Sequence, residues 1–340
     1  MKEIDSLHVE ITSRCNAKCP MCSRTNNPKI LNNLSEIKYN NFVKFFPPEF
    51  ISKLKKLKFC GNFGDPAIAT DLIEIHKYIF EHNKDLIVSI STNGGVRNES
   101  FWTKLGEIYA TNPKSFVEFH IDGLEDTNHI YRDDVKWSKL MNNAKAFIKT
   151  GANAKWFFIP FFHNEHQVEQ AEKLSDQMGF SEFILKISAR FESSKKPFRY
   201  TDHKGNDKSL YPPTADRFYI DDMQVKGPLI CLHKQRKEIY VDSWGYLFPC
   251  CWTASLFHKD NNWSIKRDKY NISLHFKTID EILSSKIYND WLETMYANDK
   301  SVCHRRCTGS KIHVLEKNNV KKLQKDLWYT EEERELLDVN

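Results

Sequence analysis

No stretch of the 340 residues approaches the ~18 consecutive apolar residues of a membrane-spanning helix. The N-terminus carries charges at Lys2, Glu3 and Asp5 and lacks the apolar core of an export signal. The chain also has no block of one charge: 50 basic residues stand against 45 acidic ones, net +5, with the signs interspersed. These absences argue against a membrane protein, a secreted protein and a nucleic-acid partner, and a soluble cytoplasmic protein is expected. What is present is core: 40% hydrophobic and 13% aromatic residues exclude a disordered chain. At 340 residues, beyond the roughly 250 of a single core, one large domain with a smaller appended one is expected.

Short apolar runs alternate with longer segments of helical period, the pattern of β/α units on a mainly parallel sheet. Six strands are predicted, at 7–11, 57–60, 86–90, 116–121, 155–160 and 182–187. Amphipathic helices are predicted at 71–80, 99–109, 137–149 and 165–178, the last two closed by Gly151 and Gly179 in left-handed caps. The pattern stops near Ser188, and the polar stretch 189–227 reads as a connector or lid. A second domain, 228–312, opens with a hairpin over 238–248 around the turn Ser243-Trp244-Gly245 and continues with a helix over 278–296. The charged stretch 313–340 reads as a helix or tail.

Nine cysteines without an export signal read as metal ligands rather than disulfides. After the first strand, Cys15, Cys19 and Cys22 crowd into one loop as C-x3-C-x2-C. A cubane held by three thiolates keeps one iron free for a small molecule, and an open position signals chemistry rather than structure. Five further cysteines, Cys231, Cys250, Cys251, Cys303 and Cys307, stand around the hairpin and beyond the helix. Four thiolates would close a second cubane, or a structural zinc site, completely. Cys60 has no nearby cysteine and reads as a buried strand-end thiol.

The cysteine loop after the first strand resembles the signature of the radical S-adenosylmethionine (SAM) superfamily. The resemblance implies an α/β fold, a partial (β/α)6 TIM-like barrel over 1–188, with a [4Fe-4S] cluster on Cys15, Cys19 and Cys22 that binds SAM. Gly64 and Asp65, in Gly61-Asn62-Phe63-Gly64-Asp65-Pro66, match the segment that receives the SAM ammonium. Thr92 and Asn93, and His120 and Asp122, match the stretches near the ribose, and Arg132 matches the arginine that pairs with the SAM carboxylate. The C-terminal cysteines resemble a small α+β twitch domain with an auxiliary [4Fe-4S] cluster on Cys231, Cys250, Cys303 and Cys307, with Cys251 as a substitute for Cys250. They are too few for the two clusters of a full SPASM domain.

The implied activity is that of an oxidoreductase or maturase: the radical removes a hydrogen from a small molecule or peptide side chain, and the auxiliary cluster accepts the remaining electron. Arg190, His163 and Glu165, beyond the sixth and fifth strands, are the candidate substrate contacts, and a flavodoxin- or ferredoxin-type protein is the expected electron donor. The chain starts almost at the first barrel strand, so no N-terminal peptide-binding domain is expected, which favours a small-molecule dehydrogenase over a peptide maturase. The alternative from another class is a zinc-stabilised binding protein that meets its partner through the loop around Lys195 and Lys196.

Overall fold

A computed structural model describes residues 3–186, 188, 191, 196–215, 218, 229, 231–259 and 268–307. All six predicted barrel strands form: β1 (Ser6–Val9), β2 (Lys56–Phe59), β3 (Ile87–Thr92), β4 (Phe116–His120), β5 (Asn153–Phe158) and β6 (Glu182–Leu185). Each pairs in parallel with the next. This is the mixed α/β, partial-barrel architecture expected from the sequence. Among the described residues no helix is long and apolar enough to cross a membrane.

Alternation along the strands sorts the side chains. Phe59 packs on His76 of the helix Leu72–His82, and Phe119 packs on Trp102 and Phe147 of the helices Glu99–Tyr109 and Trp137–Ile148. Those residues form the layer between sheet and helices. Lys58 and Glu118, one position away, therefore face the opposite, inner side of the sheet. Barrel interiors are usually filled by branched apolar side chains, so a charged inner face is a departure that bears on function.

Helix ends follow local chemistry. Asn98 accepts from Phe101 N at 3.0 Å to cap the helix Glu99–Tyr109, and Gly179, at φ +86°, closes Val168–Met178. His76 is buried within its helix, its ring 2.7 Å from the Leu72 carbonyl and 3.1 Å from the Tyr109 hydroxyl. Burial lowers its pKa to about 4. The neutral form is favoured in the fold, so this contribution is complete above pH 6.5 and lost as pH falls towards 4, amounting to about 3 kcal/mol. Urea unfolding across that window should show His76→Gln losing less stability on acidification than the wild type; parallel profiles would contradict the assignment.

The C-terminal hairpin forms as predicted from β9 (Glu238–Val241) and β10 (Leu247–Phe248), numbered after a small hairpin that precedes it. β9 lies parallel to β1, register Ser6 to Glu238 through Val9 to Val241. The sheet order is therefore β10-β9-β1-β2-β3-β4-β5-β6. Two expectations are corrected. The predicted connector contains the antiparallel hairpin β7 (Phe198–Thr201) and β8 (Asp207–Leu210), turned by the Asp202 carboxylate, which accepts from Lys204 N and Asn206 N. The single helix over 278–296 is two, Ile279–Ser284 and Lys286–Ala297. Ser285 leaves helical geometry at ψ 138° and its hydroxyl accepts from Tyr288 N to start the second. The predicted tail over 313–340 lies outside the described residues.

Candidate active site

The three-cysteine loop leaves β1 and is pinned on both sides by backbone hydrogen bonds. Ser13 N donates to Ser35 O, Asp65 N to Arg14 O, and Lys18 N to Asp133 O, all at 2.9–3.0 Å. Side chains from beyond β3 and β4 then approach the thiols. Asn93 Nδ2 stands 3.8 Å from Cys15 Sγ, and Arg132 Nη1 stands 3.8 Å from Cys19 Sγ. Burial raises the Cys15 thiol far above its usual range and Cys19 to about 11, the latter against the lowering effect of Arg132. Cys19 and Cys22 further raise Cys15, and Cys22 raises Cys19, so a bound cation would favour the thiolate form of these two. Among the described residues no three His, Cys, Asp or Glu side chains are arranged to hold a single metal ion. A multi-iron cluster takes its thiolates on separate irons, and N–H groups aimed at sulfur are the surroundings such clusters use. The donor set fits that group.

Asp65 organises the edge next to the loop. One oxygen accepts from Ala67 N at 3.0 Å and Thr92 Oγ1 at 2.8 Å, the other from Asn93 N at 2.7 Å and Asn93 Nδ2 at 2.6 Å. Four donors surround the carboxylate, which thereby positions Thr92 and Asn93. Gly64 is required by close approach: a Cβ there would sit 1.6 Å from Thr12 O. On the far side, Arg132 Nε donates to Asp122 Oδ2 at 2.6 Å, with the Asp122 side chain wholly buried. Asp122 Oδ1 accepts from Ile159 N at 2.6 Å, tying this pair to the end of β5.

The second cysteine group converges as well. Cys231, Cys250, Cys303 and Cys307 all line one cavity, walled further by Met295, Tyr296 and Val302. Tyr296 OH lies 3.7 Å from Cys231 Sγ, and Cys250 Sγ lies 3.5 Å from Thr253 Oγ1. Cys251 is not in that lining and interacts instead with Cys60, Glu238 and Lys58, so Cys250 is the member of the pair that faces the cavity.

No protein-family model matches the chain. Over 316 residues, 85% of this chain and 93% of the relative, it is 21% identical to a GTP 3',8-cyclase of Nautilia profundicola. Over 93 residues, 27% of this chain and 28% of the relative, it is 28% identical to a GTP 3',8-cyclase of Aliarcobacter butzleri. The structure is similar to anSMEcpe with bound AdoMet, with TM-score 0.55 and 15% identity over 98% of both chains. It is also similar to Streptococcus suis SuiB bound to S-adenosylmethionine, with TM-score 0.53 and 12% identity over 84% of this chain and 72% of that one. At such identities the structural likeness is one of fold.

Within this fold the remaining candidates divide. His163 stacks on Phe161 at 5.3 Å, and its Nε2 is buried with no hydrogen-bond partner among the described residues. Burial lowers its pKa to about 4, so it is neutral. The Glu165 carboxylate accepts from Thr214 N, Thr214 Oγ1 and Ala215 N and fastens the chain beyond β8. Arg190 and Lys195 lie outside the described residues. His120 turns towards Glu118, 3.6 Å away, rather than along the strand end, and burial lowers it to about 4. Glu10 went unnoticed in the sequence. It is buried under the 61–64 turn, accepting from Phe63 N at 2.7 Å, Gly64 N at 3.1 Å and Tyr240 OH at 2.8 Å. Burial raises its pKa to about 7.

Proposed function

We propose that this chain is a radical SAM enzyme whose Cys15, Cys19 and Cys22 hold a [4Fe-4S] cluster with one iron left for SAM, and whose Cys231, Cys250, Cys303 and Cys307 hold a second, closed cluster. The observation that carries the reading is a three-thiol loop bordered by polar donors, Arg132 Nη1 at 3.8 Å from Cys19 Sγ and Asn93 Nδ2 at 3.8 Å from Cys15 Sγ. When bound, the first cluster would supply the electron that cleaves SAM to methionine and a 5'-deoxyadenosyl radical, and the second would accept the electron left by substrate oxidation.

The protein's own part is binding and orientation. Gly64 lets the 61–64 turn approach the cysteine loop and offers carbonyls to the ammonium, and Glu10 braces that turn from below. Arg132 keeps guanidinium donors beyond those used on Asp122 and Cys19, and these suit the SAM carboxylate. Thr92, Asn93, His120 and Asp122 border the place of the nucleoside, and His163, Glu165 and Arg190 are the candidates beside the substrate. The substrate is a polar small molecule or a peptide side chain. SuiB has been seen bound to precursor peptide SuiA and anSMEcpe with the Cp18Cys peptide, while the cyclase likeness makes GTP a compound to assay. A flavodoxin- or ferredoxin-type protein would deliver the electron.

The test is anaerobic iron and sulfide analysis with electron paramagnetic resonance, followed by SAM and dithionite with detection of 5'-deoxyadenosine. About eight irons, four per cluster, and nucleoside formation are expected. Stoichiometric zinc in place of iron, or no nucleoside from loaded protein, would favour the zinc-stabilised binding protein.

A further inference from the structure

The inner face of the sheet carries a buried charged cluster that neither cysteine group uses. Glu118 on β4, with 3% of its side chain exposed, receives the Ser91 hydroxyl on one carboxylate oxygen, Oε2. The same oxygen stands 3.9 Å from Lys58 Nζ and 3.6 Å from His120 Nε2. The other oxygen, Oε1, is buried and has no hydrogen-bond partner among the described residues. Burial pushes this carboxyl up, but Lys58 and His120 outweigh burial and hold it at about 2, so the oxygen is an ionised acceptor without a donor. Leaving such a group unpaired costs free energy, which a donor from outside the chain would recover. On β3, the Ser89 hydroxyl, in register with Lys58, is also buried without a partner. The cluster is reached from solvent, because Lys58 and His120 keep 21% and 12% of their side chains exposed.

The charges choose the ligand. An ammonium on Oε1 would meet the Lys58 cation, and a carboxylate near Lys58 would meet the Glu118 anion. A hydroxyl both donates and accepts, and the gap between Lys58 and Glu118 exceeds a direct hydrogen bond. We propose that the barrel interior holds a subsite for a neutral hydroxyl group of the substrate, donating to the free oxygen of Glu118 and accepting from Lys58. This rests on the reading above only in taking the barrel interior as the substrate chamber.

Ligand-observed saturation-transfer NMR on the anaerobic holoenzyme tests it with myo-inositol and N-acetylserinamide, against N-acetylalaninamide, ethylammonium and propionate. At least one hydroxyl probe should bind better than all three controls, myo-inositol indicating a small polyol and N-acetylserinamide a seryl side chain. Glu118→Gln and Lys58→Gln should each weaken that binding by about tenfold, the factor for one hydrogen bond, with iron content unchanged and the fold retained by circular dichroism. Failure of both hydroxyl probes, preference for either charged control, or undiminished binding by both variants would overturn the subsite. Uncoupled 5'-deoxyadenosine formation, measured on the same preparation, reports separately on the enzyme reading: its absence would sink that reading while the binding result still decides the subsite.

Discussion

Alanine in place of Cys15, Cys19 and Cys22 is expected to abolish 5'-deoxyadenosine formation while leaving about four irons per chain, half of the wild-type load. The separation follows from geometry. The three thiols belong to a loop held by backbone hydrogen bonds from Ser13, Asp65 and Lys18, which alanine substitutions leave in place. The remaining iron would sit in the cavity lined by Cys231, Cys250, Cys303 and Cys307, which includes none of the three. Truncating the three cysteines to alanine introduces no charge and adds no bulk, so the fold should persist by circular dichroism. Iron analysis, paramagnetic resonance before and after SAM, and chromatography of the nucleoside check the outcome. Residual nucleoside formation, or loss of all iron together, would place SAM cleavage elsewhere or make the two sites one.

Arg132→Met should be the most damaging single substitution for stability, costing about 3–5 kcal/mol. Arg132 and Asp122 form a buried pair at 2.6 Å, with the Asp122 side chain fully enclosed and that of Arg132 14% exposed, so solvent screens little of the interaction. Removing the cation strands the carboxylate, whose other oxygen is committed to Ile159 N. It also takes away the N–H group facing Cys19 and the donors proposed for the SAM carboxylate. Arg132→Lys keeps the charge but not the planar fork, and is expected to recover stability more than SAM affinity. Urea unfolding of the apoprotein and SAM titration of the reconstituted protein measure the two effects. An Arg132→Met protein as stable as wild type would show that Asp122 finds another partner.

The barrel was legible because its signals are local. Alternation fixes Lys58 against Phe59, and the run of apolar residues from Phe116 fixes β4, without reference to distant chain. The cysteine spacing carried the first site in the same way. What the sequence concealed depends on partners far along the chain. Glu10 looks like the polar end of a strand until Phe63, 53 positions on, and Tyr240, 230 positions on, close over it. Glu165 has the position of a site residue, and Thr214, 49 positions on, donates to its carboxylate. The break at Ser285 was missed for another reason: Ser is compatible with both a helix interior and a cap, and only its extended ψ decides between them.

The parallel pairing of β9 with β1 has a practical consequence for dissecting the molecule. β1 is buried along its whole length and hydrogen-bonded on both sides, to β2 and to β9. Cutting the chain before Glu238 would turn this buried segment into an edge, with a row of amides and carbonyls open to any other strand. Edges of that kind template aggregation. The barrel half is therefore a poor candidate for expression by itself, and each cysteine group is better silenced by substitution within the full chain than isolated by truncation.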